Sequence, residues 1–112
     1  MKEDCEFPME MNPEQVIEFL QANPSSTLLD VREVEENAYC ALKGSLLIPL
    51  NNLPEALPSL DGKNAVVVYC HHGIRSLAAV RMLREKGFGK ATSLRGGIDL
   101  WTTQIDPSLP RY

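Results

Sequence analysis

The sequence predicts an α/β fold with a mainly parallel central sheet flanked by helices, and three observations support that class. Apolar segments with strand character alternate along the chain with segments that have helical patterning. Residues 65–70 form a continuous apolar run without polar alternation, which is typical of a strand covered on both faces. A chain of 112 residues, 44% of them hydrophobic, is long enough to bury a substantial core in one domain.

The first third of the chain predicts a helix, a strand and a second helix. Residues 1–8 have no clear pattern and are expected to fray. Asn12 is a suitable N-cap and Pro13 suits the first helical position, so a helix is expected from there to about Asn23. The next two elements are a short buried strand and a short polar helix, at residues 27–31 and 33–39.

The rest of the chain alternates strands and helices in the same way. Residues 46–50 predict a strand that Pro49 cuts short. A helix is expected from about Arg75 to Lys86, with an apolar stripe on one side and Arg84 on its outer face. The remaining predicted elements are a short helix at residues 53–60, a turn at Asp61-Gly62, the strongest strand at residues 65–70, a stop at Gly87, a strand at residues 91–94 and a short helix after Gly96-Gly97 that holds Trp101.

Composition and charge exclude several classes of function. No apolar stretch approaches the roughly 20 residues that a membrane span needs, so no membrane protein is expected. The first six residues are acidic rather than basic and then apolar, so we expect no secretion signal and a cytoplasmic setting. The net charge of -4 argues against nucleic acid as the main partner.

The charge is unevenly distributed along the chain. Residues 1–60 carry 11 acidic and 3 basic side chains, whereas residues 61–112 carry 4 acidic and 8 basic ones. The two halves therefore have formal charges of -8 and +4. The positive half favours either a small anionic ligand or nothing more than a solvated charged surface, and the sequence leaves both interpretations open.

The three cysteines, Cys5, Cys40 and Cys70, do not form a disulfide framework, because their number is odd and their spacings are wide. No Cys-x2-Cys pair is present, which argues against a thioredoxin-type redox site. Cys40 is interpreted as a structural or surface thiol. The remaining question about the cysteines is whether one of them is a reactive thiolate.

The segment Cys70-His71-His72-Gly73-Ile74-Arg75-Ser76 is the most informative part of the sequence. Cys70 ends the strongest strand, and ligands of open α/β sheets bind beyond the carboxyl ends of the strands. Loop N–H groups and the dipole of the following helix favour negative charge there. Arg75 adds a positive charge that braces the loop or holds an anionic substrate. Gly73 permits unusual backbone angles, and Ser76 is expected to cap the helix or donate toward the sulfur.

The Cys-x4-Arg-Ser pattern between a strand and a helix resembles the active loop of rhodanese-like sulfurtransferases. Further motifs resemble those of the family, in the family's order, over about residues 28–101. They are Leu29-Asp30-Val31-Arg32-Glu33, Ile48-Pro49-Leu50 and Leu94-Arg95-Gly96-Gly97-Ile98 followed by Trp101. The tail at residues 105–112 is similar to the ending of some bacterial single-domain members. The resemblance implies a three-layer fold and one rhodanese-like domain over residues 1–112, with a core at about residues 10–103.

The resemblance also implies a reaction. Cys70 takes a sulfane sulfur from a small donor, such as thiosulfate or a persulfide, and a nucleophilic acceptor then removes it from the Cys70 persulfide. A sulfur-carrier protein is one candidate acceptor. The other residues from His71 to Ser76 form the substrate-binding loop, whose amides stabilise the outer sulfur. No cofactor and no metal are expected.

Loop length separates this interpretation from a cysteine phosphatase or an arsenate reductase. Phosphatase loops of the Cys-x5-Arg type are one residue longer than the segment from Cys70 to Arg75. The tighter loop suits a sulfur atom rather than a tetrahedral phosphate. The other alternative is a rhodanese-fold binding or regulatory module without significant turnover, which a test for persulfide distinguishes.

For several candidate residues, the sequence leaves two interpretations open. Asp30 and Arg32 either support the site from a neighbouring strand end or form a structural ion pair. Cys5 is either a second sulfur carrier or a bystander. His71 and His72 are not expected to bind a metal, because adjacent residues rarely converge on one ion and the sequence shows no further ligand cluster.

Overall fold

One sheet of five parallel strands forms the centre of the computed structural model, which describes residues 7–112. The strands are β1 (Glu10–Met11), β2 (Thr27–Asp30), β3 (Leu46–Leu47), β4 (Val66–Tyr69) and β5 (Ala91–Leu94). Their order is β1-β5-β4-β2-β3, and each neighbouring pair is parallel. The α/β class with a mainly parallel sheet is therefore confirmed. Cys5 lies outside the described residues.

Five helices follow the strands in turn: α1 (Pro13–Ala22), α2 (Val34–Tyr39), α3 (Leu53–Ala56), α4 (Ile74–Glu85) and α5 (Gly97–Gln104). Two 3-10 turns flank α3, at Leu50–Asn52 and Leu57–Ser59. The start of α1 agrees with the sequence, because the Asn12 side chain accepts from Gln15 N and the Gln15 side chain accepts from Asn12 N. Among residues 7–112, no helix has the length and apolar character needed to cross a membrane.

The sheet separates two hydrophobic clusters, which explains the unbroken apolar run of β4. Val66 and Val68 belong to the cluster that also contains residues of α3 and α4. Val67 and Tyr69 belong to the cluster on the other face, with residues of α1 and α5. All four side chains are at most 1% exposed. Helices therefore cover both faces of the sheet in three layers, and no position of β4 needs a polar residue.

The structure differs from the sequence prediction at the edges of the sheet and around α3. The sequence does not predict β1, since a two-residue strand has no periodicity. β3 ends at Leu47, because Pro49 has no N–H to donate and begins a 3-10 turn instead. The helix expected at residues 53–60 is divided, and only Leu53–Ala56 is α-helical.

Arg84 is engaged in contacts that the sequence does not predict, and the expectation of a frayed lead-in is wrong for residues 7 and 8, whereas residues 1–6 lie outside the described residues. The Arg84 guanidinium does not lie free on the outer face of α4, because it donates to Ala91 O and to the carbonyl oxygens of Phe7 and Pro8. Its long stem reaches past the helix to these backbone groups. The Phe7 ring also packs edge to face on Phe19, with centroids 5.7 Å apart. Residues 7 and 8 are thus fixed by contacts rather than frayed.

We predict that Gly97→Ala lowers the free energy of unfolding by about 2 kcal/mol or more. Gly97 has a φ of +64°, and a Cβ there would collide with the backbone of His71 and Cys70. Gly44 is a matched control, because its φ is +83° but a Cβ would meet nothing within 4 Å. Gly44→Ala should cost only backbone strain, about 1 kcal/mol. Urea denaturation measures both variants, and equal losses would contradict the collision.

Candidate active site

Cys70 is the first residue after β4, and its loop leads directly into α4. Because β4 lies between β5 and β2, the loop stands at the carboxyl ends of three parallel strands. Gly73 ends the loop with a φ of +105°, in the left-handed region that favours glycine. It is the N-cap of α4, so the helix begins at Ile74, one residue earlier than the sequence predicts.

The Cys70 sulfur is buried beneath its own loop and accepts two backbone hydrogen bonds. Gly73 N donates to Sγ over 3.1 Å and Ser76 N over 3.3 Å. The residue is only 1% exposed. Both donors belong to the cap and first turn of α4, where N–H groups have no partner within the helix and the helix dipole is positive. This arrangement stabilises negative charge at the sulfur.

The Ser76 side chain also contacts the sulfur. The Cys70 thiol donates to Ser76 Oγ over 3.5 Å, and Ser76 Oγ shares a 2.7 Å hydrogen bond with Ser93 Oγ on β5. Both serines are completely buried. Of the roles expected for Ser76, the side-chain helix cap is wrong, because Gly73 occupies that position. The backbone N–H of Ser76, rather than its hydroxyl, is the donor to the sulfur.

The N-terminus of α5 holds the other side of the loop. Ile98 N donates to Cys70 O over 2.9 Å, and Asp99 N donates to His71 O over 3.1 Å. Gly97 lets the two segments approach this closely, since a Cβ would collide with the same carbonyl groups. Gly97 therefore serves a close approach between backbones, whereas a Cβ on Gly96 would meet the side chain of Leu100.

Arg75 braces the loop against α2 rather than offering a free charge. Its two terminal nitrogens donate to the two carboxylate oxygens of Glu36 over 2.7 and 3.0 Å. The hydrogen bond from Arg75 lowers the pKa of Glu36 to about 2, against the opposing effect of burial. Glu36 is thus ionised at neutral pH, and the pair is formally neutral. The charge of Arg75 is therefore balanced within the protein by Glu36.

The positive excess of the second half of the chain is partly compensated in three dimensions. Arginines of that half face acidic groups in three pairs: Arg75–Glu36 at 2.7 Å, Arg95–Glu10 at 3.7 Å and Arg111–Asp99 at 2.9 Å. Two of the three acidic partners come from the negative half. Of the two interpretations that the sequence leaves open, this pairing favours a solvated charged surface over an anion-attracting site.

Asp30 and Arg32 form a completely buried ion pair beside the loop. Asp30 Oδ1 accepts from Arg32 N and Nε, and Asp30 Oδ2 accepts from Arg32 Nη2 over 2.8 Å. Arg32 also donates to Cys40 O, and Cys40 is itself buried. The structural interpretation of Cys40 therefore fits better than a surface thiol. The remaining hydrogen bond of Arg32 goes to Tyr112 Oη over 2.8 Å.

Tyr112 is a residue of this site that the sequence does not single out. Its ring stacks on that of His71, with centroids 3.8 Å apart and planes 6° apart. Its hydroxyl donates to Glu36 Oε2 over 2.9 Å and accepts from Arg32. Burial raises the pKa of Tyr112 to about 12, so the hydroxyl keeps its proton at neutral pH. The resemblance of the tail at residues 105–112 to other family members includes this residue but predicts none of its contacts.

Three further members of the site also lack a strong sequence signal: Glu36, Ser93 and Asp99. Glu36 lies in the first turn of a helix that follows a neighbouring strand, which is a weak indication that it approaches the loop. Ser93 and Asp99 belong to the strand and helix that follow α4. Their proximity to Cys70 depends on the order of strands in the sheet, which no local sequence pattern specifies.

His71 and His72 lie close to Asp99, so the expectation that no further ligand group accompanies them is wrong. Candidate ligand atoms of the three residues lie within 4.8 Å of one another. All three residues have other contacts. The two histidine rings lie 3.9 Å apart with planes tilted by 31°. Asp99 is also bound by Arg111 over 2.9 and 3.1 Å.

The two histidines have different environments. Burial, and secondly the neighbouring His72, lower the pKa of His71 below its usual value of 6.5. The Nε2 atom of His71 is buried without a hydrogen-bond partner. The His71 ring is therefore neutral at pH 7 and adds no positive charge to the loop. The side chain of His72 is 60% exposed, with Nε2 3.8 Å from Asp99.

The site consists of a buried cysteine under a loop whose backbone N–H groups point at its sulfur. It lies at the carboxyl edge of the parallel sheet in a three-layer α/β protein. The sequence model of the Rhodanese-like domain matches residues 12–104. The chain belongs to the rhodanese-like domain family, and the resemblance seen in its motifs is confirmed.

Known proteins of the family resemble this chain over most of its length. It is 39% identical over 92 residues to "Adenylyltransferase and sulfurtransferase MOCS3-2" of Zea mays, covering 76% of this chain and 19% of that protein. A crystal structure of a rhodanese-related protein from Thermoplasma volcanium is 33% identical, with a TM-score of 0.76 and coverage of 90% of this chain and 94% of that one. The human single-domain sulfurtransferase TSTD1 is 23% identical and shares the fold, with a TM-score of 0.76 over 86% of this chain and 96% of that one.

The match to the maize protein concerns one part of a longer chain. This chain spans about a fifth of that relative's length. It is therefore homologous to a sulfurtransferase domain within a larger protein. The likeness to the Thermoplasma protein extends over nearly the whole of both chains, and it confirms the three-layer architecture that the motifs imply.

We predict that Glu36→Gln lowers stability mainly above about pH 5. A carboxyl with a folded-state pKa of about 2 stabilises the fold above its usual pKa of 4.5, and that contribution is lost as the pH falls toward 2. Urea denaturation of parent and variant at pH 7 and at about pH 3 should show the larger difference at pH 7. Glu55→Gln, at an exposed position, is the control. A difference that stays constant with pH would contradict the prediction.

Proposed function

We propose that this protein is a rhodanese-type sulfurtransferase that carries the transferred sulfur on Cys70 as a persulfide. The observation that supports this most directly is the pair of backbone hydrogen bonds from Gly73 N and Ser76 N to Cys70 Sγ. The outer sulfur of a persulfide carries negative charge during transfer, and the same loop amides stabilise it as an oxyanion hole does. Membership of the rhodanese-like family supports the reaction class.

The reaction consists of two displacements at sulfur. In the first, the Cys70 thiolate attacks the sulfane sulfur of the donor. A new S–S bond forms, and the old bond breaks with its electron pair departing on the donor's leaving group. In the second, a nucleophilic acceptor attacks the outer sulfur, and Cys70 leaves as a thiolate. The two steps balance without an added oxidant or reductant.

The residues of the loop have different roles in this proposal. Gly73 and Ser76 supply the N–H donors, and Arg75 holds the loop against α2 through Glu36. Ile74 is 80% exposed and presents an apolar contact to the donor or the acceptor. The remaining members of the site shape and support its walls: His71, His72 and the buried pair Asp30 and Arg32.

The charges around the loop influence which kind of sulfur donor the site can bind. Arg75 is neutralised by Glu36, and His71 is neutral at pH 7 because burial lowers its pKa. The site therefore stabilises the transferred sulfur mainly through amide dipoles. A persulfide, with little charge beyond the transferred atom, suits this site better than the thiosulfate dianion. The acceptor is a small nucleophile or a sulfur-carrier protein, in keeping with the sulfurtransferase name of the maize relative.

A phosphatase fits the same site less well. The loop from Cys70 to Arg75 is one residue shorter than the phosphatase pattern. A phosphatase also needs its loop arginine to bind the phosphate oxygens, whereas both terminal nitrogens of Arg75 donate to Glu36. An anionic substrate would have to displace that carboxylate.

We predict that Cys70→Ser abolishes sulfur loading, whereas Cys40→Ser retains it, although both thiols are buried. Intact protein is incubated with thiosulfate or a small-molecule persulfide and analysed by mass spectrometry without reductant. The parent should gain the mass of one sulfur atom and lose it on addition of cyanide. Parental loading of Cys70→Ser would contradict the assignment of the site. A parent protein that gains no sulfur from either donor would favour a binding module.

Arg75→Ala should slow sulfur transfer about tenfold, since a hydrogen bond to a charged group contributes roughly 1.5–3 kcal/mol. Arg81→Ala, at an exposed position on the same helix, is the control and should keep the parental rate. Arg84 is unsuitable because it binds backbone carbonyls. Stopped-flow kinetics with an anionic donor should also show little effect of salt, because Arg75 is already paired. Equal losses in both variants would contradict the bracing role.

A further inference from the structure

Tyr112 contacts the start of the loop that carries Cys70 directly, and it reaches the other end of the loop through Glu36. Its ring lies face to face with that of His71, the residue directly after Cys70, at a centroid distance of 3.8 Å. Its hydroxyl donates to Glu36 Oε2 over 2.9 Å, and Glu36 holds Arg75 in the first turn of α4. A single side chain therefore connects the start of the loop with the start of the following helix.

The Tyr112 hydroxyl is itself held from the sheet. Arg32 Nη1 donates to Tyr112 Oη over 2.8 Å, and Arg32 is completely buried and bound by Asp30. A buried arginine with its other nitrogens engaged is a rigid anchor. The hydroxyl thus accepts from a fixed group of the sheet edge and donates to the carboxylate that braces the loop. Its position is determined on both sides.

We propose that Tyr112 is a positioning residue for sulfur transfer, which holds the Cys70 loop so that its N–H groups point at Sγ. This inference rests on the proposed function of Cys70. The donors are Gly73 N, which lies between His71 and Arg75, and Ser76 N, which directly follows Arg75. A misplacement of about 1 Å at a reacting centre can cost about a hundredfold in rate. Loss of Tyr112 should therefore lower kcat rather than raise KM.

Two variants separate the contribution of the ring from that of the hydroxyl. Tyr112→Phe keeps the stacking on His71 and loses both hydrogen bonds, so kcat for transfer from thiosulfate to cyanide should fall about tenfold. Tyr112→Ala loses both kinds of contact and should fall about a hundredfold. Tyr39→Phe is the control, since Tyr39 is 56% exposed and touches Tyr112 only edge-on. Parental kcat in Tyr112→Ala, or a raised KM with unchanged kcat, would overturn the proposal.

A second measurement does not depend on sulfur transfer. Burial lowers the pKa of His71, whose ring faces His72, Asp99, Glu36 and Tyr112. In an NMR titration, Tyr112→Ala should raise that pKa toward 6.5 and shift the amide signal of Gly73. Tyr39→Phe should change neither.

The two measurements distinguish this inference from the proposed function. If His71 and Gly73 give parental signals in Tyr112→Ala, the positioning role is overturned whatever the activity of the parent. If the signals change while the parent transfers no sulfur to any acceptor, Tyr112 does hold the loop and the proposed function is what fails. Changed signals together with a lower kcat support both.

Discussion

Two hydrogen bonds from the N-terminus of α5 hold the candidate site together. Ile98 N and Asp99 N donate to the carbonyl oxygens of Cys70 and His71, and this approach is possible only because Gly97 has no Cβ. Since buried backbone groups need partners, the carbonyls on this side of the loop are satisfied by α5. The loop N–H groups then remain available on the other side, where they reach Sγ. The surroundings of the sulfur therefore depend on two helices packed at the carboxyl ends of neighbouring strands.

The polar groups around this loop are arranged so that their charges cancel. Asp30 neutralises Arg32, and Glu36 neutralises Arg75. The Tyr112 hydroxyl connects the two pairs, because it accepts a hydrogen bond from Arg32 and donates one to Glu36. A buried charge without a partner is costly, whereas a connected network satisfies each of its members. The consequence for chemistry is that amide dipoles, rather than a side-chain cation, stabilise negative charge at the sulfur. This arrangement suits the proposed transfer, in which negative charge appears on the outer sulfur only transiently.

Much of the fold was predictable, and the exceptions have two causes. Asn12 and Pro13 define the start of α1, the unbroken run at residues 65–70 indicates a strand buried on both faces, and Cys70 follows it where a parallel sheet places its ligands. The sequence does not predict β1, a two-residue strand at one edge of the sheet, and β3 at the other edge is shorter than predicted. Arg84 escaped for a different reason. Its position on the helix surface is correct by periodicity, but its long side chain reaches backbone carbonyls elsewhere in the chain.

The sequence by itself determined the alternation of strands and helices, the cysteine loop and the family, because hydrophobic periodicity, caps and short motifs act over a few neighbouring residues. Only the tertiary structure decided which charges are free and which residues complete the site. Arg75 and Glu36 are 39 positions apart, and Tyr112 and Glu36 are 76 apart. No local pattern encodes such pairs, since the partner of a long polar side chain is chosen by the order of strands in the sheet and by where the chain returns. The same loop sequence could therefore present a free arginine or a neutralised one, and folding selects the second.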